Sequence, residues 1–122
     1  SLHLNGTSVT DAGLKHLKRL RGLQGLHLAE TEITTQGLAD IAQLSRLLQL
    51  DLSHTDVANG LDQLTPLENL QWLLLRGVPL AEQQLTPLAG LPGLRRVTVG
   101  ADAAASTAVA SFADQHRHLS FD

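Results

Sequence analysis

Aliphatic residues return on one fixed schedule through most of this chain. Counted from Leu26, they fall at offsets 0, 2, 7, 12, 15, 18 and 21, as Leu26, Leu28, Ile33, Leu38, Ile41, Leu44 and Leu47. The same offsets from Leu2 give Leu2, Leu4, Val9, Leu14, Leu17, Leu20 and Leu23. From Leu73 they give Leu73, Leu75, Leu80, Leu85, Leu88, Leu91 and Leu94. From Leu50, with one residue deleted before Leu61, they give Leu50, Leu52, Val57, Leu61, Leu64, Leu67 and Leu70. Every frame position is Leu, Ile or Val, and before residue 97 only Leu48, Leu74 and Val78 of those types lie outside it.

Such a frame restricts the fold severely. The first two positions alternate with period two, the pattern of a short half-buried strand. The later leucines recur every three residues, which suits a short helix or 3₁₀ turns with one buried side. A single unit of this kind cannot bury its apolar side alone, so successive units must stack around a shared core. The repeats run 2–25, 26–49, 50–72 and 73–96, with an atypical segment at 97–122 acting as a cap. Together they form one domain, 1–122.

The pattern LxLxxTxV followed by spaced leucines, with periods of 24, 24, 23 and 24 residues, resembles the leucine-rich-repeat family across nearly the whole chain. The stretch VTDAGLKHL is similar to repeats of bacterial leucine-rich proteins and of F-box arrays. The resemblance implies an α/β solenoid, a right-handed superhelix. Its parallel β-sheet would form the concave face, with short α or 3₁₀ helices on the convex face. It also implies a non-enzymatic module that binds a protein or peptide. The alternative is a structural spacer, or the substrate-receptor repeats of a larger effector or ubiquitin-ligase-type protein.

Offset 5 carries Thr7, Thr31 and Thr55, then Val78 and Asp102, where the family usually has Asn or Cys turned towards the loop backbone. A threonine hydroxyl can serve the same end. Val78 cannot, so the fourth turn is expected to be less regular, as Pro79 beside it suggests. Gly13, Gly37 and Gly60 fall in one column of the helical arc and are expected to allow close approach between turns. Thr10 and Thr34 are candidate N-caps, and Thr65-Pro66-Leu67-Glu68 reads as a capping box. Thr86-Pro87 and Pro92 point to a 3₁₀ or one-turn arc in the fourth repeat. Val109, Phe112 and His116 share a helical face, and Leu119–Phe121 reads as a last strand.

Composition narrows the function. The net charge of −3 and pI near 6.0 give no global field for nucleic acid or anionic lipid. Trp72, Phe112 and Phe121 are the only Phe, Trp or Tyr residues, too few for a base-stacking surface. No apolar run is long enough to span a membrane. The absence of cysteine leans towards a reducing compartment, or towards a secreted bacterial protein. Ser1 opens directly on a strand without an initiator Met, which points to a processed or excised piece. Its ends are then expected to meet missing repeats or another chain. Asn5-Gly6-Thr7 matches a glycosylation acceptor and is read as coincidence.

Side chains one residue before, one after and three after each frame start point out of the core. The first column reads Ser1, Gly25, Gln49, Trp72, Arg96, His118; the second His3, His27, Asp51, Leu74, Thr98, Ser120; the third Asn5, Ala29, Ser53, Arg76, Gly100, Asp122. The fourth strand thus projects Trp72, Leu74 and Arg76 together, with Arg96 on one side and Asp51 and His27 on the other. Trp and Arg are the types most enriched at binding hot spots, so these six residues are the candidate partner-binding site. The bland alternative is that Trp72 lies over its neighbours with its N–H paired locally. His3, His27 and Asp51 form a ladder that could invite a metal ion or a pH-sensitive pair. Flat strands hold such ligands parallel rather than converging, and no metal or cofactor is expected. Ser53 and His54 are adjacent and point to opposite sides, so they make no nucleophile–base pair. Lys15, Lys18, Arg19 and Arg21 form an outer basic patch, read first as a solvated face and second as a contact to an acidic domain.

Overall fold

The computed structural model describes residues 1–100 and 106–122. The offset-5 reading at Asp102 therefore lies outside the described residues. Six short strands are present: β1 Leu2–His3, β2 Gly25–His27, β3 Gln49–Asp51, β4 Trp72–Leu74, β5 Arg96–Thr98 and β6 Ser120–Phe121. They make one parallel sheet in chain order. The frame leucines align rung by rung, Leu2 with Leu26, Leu26 with Leu50, Leu50 with Leu73 and Leu73 with Val97.

Each strand is short because the chain turns at once after its second frame residue. Four turns use the same device: Gly6, Glu30, His54 and Gly77 all take positive φ, at 70°, 59°, 57° and 74°. The next residue closes the turn. Thr7, Thr31 and Thr55 each donate their hydroxyl to the carbonyl three residues back, at 2.7, 2.7 and 2.6 Å. Val78 lacks a hydroxyl, yet its backbone N–H reaches Leu75 O at 3.1 Å and its side chain is buried. The expected irregularity of the fourth turn is therefore absent. The left-handed Gly77 sets the backbone path, and Val78 adds to the core instead of bonding the loop.

Opposite the sheet run the helical arcs. Helix α1 (Asp11–Leu14) continues as 3₁₀ through Arg19, and 3₁₀ Thr35–Gly37 leads into α2 (Leu38–Ile41). The third arc is 3₁₀ throughout, Ala58–Leu64, while α3 (Glu82–Leu85) passes into 3₁₀ Thr86–Gly90. The last, α4 (Thr107–Gln115), has nine residues and buries Val109 and Phe112. Thr34 Oγ1 accepts from Gln36 N at 3.3 Å, as expected of a cap, whereas Thr10 makes no side-chain cap. Thr65 does not open a capping box. It follows the third arc and donates its hydroxyl to Asp62 O at 3.1 Å, closing that arc. A Cβ on Gly37 would meet Asp11 and Leu14 at 2.5 Å, and one on Gly60 would collide with Thr35. Gly13 meets nothing closer than Val9 at 3.7 Å, so close approach explains two members of the column and not the third.

Between sheet and arcs the frame residues make one continuous core, with Leu26, Leu50, Leu52, Leu73 and Leu75 at zero exposure. Burying each such side chain stabilises by roughly 1.5–3 kcal/mol. The first turn is less covered. Leu20 is 43% exposed, while Leu44, Leu67 and Leu91 at the same offset are buried.

The last strand departs from the sequence reading. β6 falls inside the expected Leu119–Phe121, but Arg96 pairs with Ser120 and Val97 with Phe121, so its register is two residues further along than the outward columns assumed. Leu119 closes the preceding turn through its N–H to His116 O at 2.9 Å, as Leu94 does to Leu91 O at 3.2 Å. A shift of two preserves which face each side chain takes, but it changes the neighbours. Asp122, not Ser120, stands beside Thr98, as its N–H to Val97 O at 3.0 Å shows.

Candidate functional site

The outward face of β2–β6 holds the candidate residues. Trp72 sits at the start of β4, half-buried, and its indole N–H donates to Thr98 Oγ1 of β5 at 2.8 Å. The ring therefore leans diagonally across the rung where Leu74 pairs with Thr98. Both are buried, at 8% and 3% exposure, so Leu74 is not presented to solvent as its outward position implied.

Arg96, one rung from Trp72, lays its guanidinium over the indole, 4.3 Å from the ring centroid. Its Nε and Nη2 both donate to Asp122 Oδ2, at 2.8 and 2.5 Å. The Thr98 hydroxyl donates to Asp122 Oδ1 at 3.3 Å. The four side chains close a ring of contacts: Trp72 to Thr98, Thr98 to Asp122, Asp122 to Arg96, Arg96 back over Trp72. The hydrogen bond from Arg96 holds the Asp122 carboxyl below its ordinary range, against the opposing effect of burial. Asp122 in turn raises the Arg96 guanidinium. One face of the indole is thus covered by a cation whose charge is already matched.

Arg76, two residues beyond Leu74, is exposed. Its backbone N–H donates to the buried Ser53 Oγ at 3.1 Å, and among the described residues its guanidinium has no hydrogen-bond or ion-pair partner. Ser53 thereby caps the backbone of the next turn. Asn5 does the same for an earlier turn, its Oδ1 accepting from Ala29 N at 2.8 Å. Asp51 is half-buried and turns Oδ1 back to Ser53 N at 3.0 Å.

Beside Asp51 lies His27, whose ring stacks on that of His3 with centroids 4.3 Å apart and planes 8° from parallel. Burial first, and His3 second, lower the His27 pKa from its ordinary value; Asp51 opposes this and the amino terminus adds to it. Stacked rings present faces to each other rather than nitrogens to a common point. Among the described residues no group of three His, Cys, Asp or Glu is arranged to hold a metal ion.

Across the core, a groove of about 580 Å³ runs between the α3 arc and α4. Phe112, Ala89 and Ala108 line it with Glu82, Ser111 and Gln115. Of the outer basic patch, Lys18 is engaged with Asp40 of the next turn at 3.0 Å. The structure thus brings Trp72, Leu74 and Arg96 together, sets Arg76 at their edge, and leaves Asp51 and His27 on the neighbouring rungs. The sequence reading missed Thr98 and Asp122. Their positions in the outward columns were the available signal, and the two-residue shift of β6 concealed their contact.

No family model matches this chain, and none of the curated proteins does. No helix of the described residues is long and apolar enough to cross a membrane.

Proposed function

We propose that this chain is a leucine-rich-repeat solenoid whose sheet forms a concave face that binds a protein or peptide, without catalysing a reaction. The supporting observation is the cluster on β4 and β5. A lone tryptophan, half-buried and fixed by Thr98 and Arg96, stands beside an exposed arginine. Binding costs less when an aromatic anchor is already held in one orientation, because little side-chain freedom is lost. The repeat frame, the parallel sheet in chain order and the recurrent left-handed turn support the solenoid reading.

The test compares wild type with Trp72→Ala/Arg76→Glu in an affinity pull-down analysed by mass spectrometry. A protein retained by wild type and lost by the folded double variant is the expected result. Identical captures by both would place the contact elsewhere.

One observation favours a second reading, a spacer that positions another region of a longer chain. The Trp72 ring of contacts is complete within the domain, so it can serve packing alone. A spacer tolerates Trp72→Ala and Arg76→Glu with function intact, whereas a binder does not.

A further inference from the structure

Four formally charged side chains occupy the outward columns: Asp51, Arg76, Arg96 and Asp122. Three are engaged within the domain. Arg96 and Asp122 neutralise each other, and Asp51 accepts from Ser53 N. Arg76 alone, among the described residues, directs an exposed guanidinium to nothing. Its neighbours in the same column are Ser53 and Gly100, neither of which can crowd or neutralise it. Among the described residues the face therefore carries one cation without an ion-pair partner, Arg76, and one anion, Asp51, bonded only to the Ser53 backbone. Arg76 lies two and four residues along the chain from Leu74 and Trp72, in the turn that follows β4.

We infer that the partner is an extended acidic peptide segment, with an Asp or Glu carboxylate on Arg76 and an aliphatic or aromatic side chain against Trp72; this rests on the binding reading above. Guanidinium and carboxylate match as a planar fork, which a neutral partner residue cannot supply. An extended segment repeats its side chains on one face every two residues, about 7 Å apart, so the acid and the apolar residue fall two to four positions apart in the partner. Arg96 competes less for the carboxylate, since its charge is already paired with Asp122.

The experiment is selection of a displayed random dodecapeptide library on the immobilised chain. Synthetic copies of the enriched sequence, each carrying a fluorescent label, are then titrated by anisotropy, which reads wild type and the Trp72→Ala variant alike. Expected is enrichment of Asp or Glu at the stated spacing from an apolar residue. Arg76→Gln then weakens the acidic peptide about fivefold. The same variant leaves an analogue with Gln at the acidic position unchanged. Arg76→Glu binds the analogue with Lys there better than the original, which no purely structural role of Arg76 would produce. Enriched peptides without an acid, or an acid preference that survives Arg76→Gln, overturn the inference but leave the binding face standing if Trp72→Ala still abolishes binding. No enrichment, or binding that ignores Trp72→Ala, overturns both.

Discussion

Positive φ recurs at one place in four successive turns, and two of the four residues there are not glycine. Glu30 and His54 accept a conformation that costs an ordinary residue roughly 1–2 kcal/mol, because the turn must leave the strand within three residues. Gly77 is the most constrained of the set. It holds φ +74°, and a Cβ there would collide with the His54 ring, whereas one on Gly6 meets nothing. Gly77→Ala is thus expected to destabilise by about 1–2 kcal/mol from backbone strain alone, and by more than Gly6→Ala, in urea unfolding. In a His54→Gly background the excess over Gly6→Ala should vanish; an unchanged excess would show that the ring is not its cause. His27 supplies a second residue-scale prediction. Its folded-state pKa is depressed below the ordinary value of about 6.5, so the folded chain holds fewer protons at this ring than the unfolded chain. Stability from this source is complete above the unfolded value, falls as pH drops through it, and levels once pH is below the folded value. Urea unfolding at pH 7 and pH 5 should show a larger loss in wild type than in His27→Gln. Equal losses would remove His27 as a cause of the pH dependence.

At the level of elements, each turn is tied to the next by side chains that finish what the short strands leave open. Asp11 is the clearest case: its carboxylate accepts from Thr34 N at 2.7 Å and from Thr34 Oγ1 at 2.5 Å, and Thr34 Oγ1 caps Gln36 N. Asp11→Ala therefore breaks the start of the second arc as well as one charge-assisted pair. It should cost about 1.5–3 kcal/mol, with Asp11→Asn intermediate, by thermal or urea unfolding. A cost under about 0.5 kcal/mol would mean that water replaces the carboxylate without loss. Nothing in the sequence near Thr34 announces this contact, because its partner is 23 residues away. Patterns that depend only on period were legible: the rungs of β1–β5, the mixed α and 3₁₀ arcs, and the outward columns that hold Trp72, Arg76 and Arg96. Patterns that depend on a local signature fared worse. Thr65-Pro66 looks like the start of a helix, yet the core places Leu64 and Leu67 first and leaves Thr65 to close an arc. Leu119 looks like the start of the last strand and the equivalent of Val97, and its burial is real, but it serves the turn before β6. The candidate site inherited that second error. With β6 placed two residues early, Asp122 was not seen beside Thr98, and Arg96 looked available to a partner when it is already matched.

Taken as a whole molecule, the single parallel sheet places equivalent groups in different surroundings. One backbone amide makes this measurable. Leu4, Leu28, Leu52 and Leu75 N–H donate to the carbonyls of His27, Asp51, Leu74 and Thr98 at 2.8, 2.9, 2.9 and 2.8 Å. The local geometry is the same four times over, so differences in hydrogen exchange must come from the free energy of opening each turn. In a stacked array that energy is the sum of a turn's own contribution and its contacts with neighbours. Leu4 is only half-buried, in a turn whose Leu20 is exposed, while Leu28, Leu52 and Leu75 are fully buried. The expected order is fastest exchange at Leu4 and slowest at Leu28 and Leu52, with Leu75 in step with them. The same logic sets the cost of truncation: Leu52→Ala should cost about 2–5 kcal/mol, and Leu4→Ala, at the same offset, clearly less. If all four amides exchange at one rate, the turns open together and the array behaves as a single cooperative unit. A cost below about 1 kcal/mol for Leu52→Ala would contradict its place in the core outright.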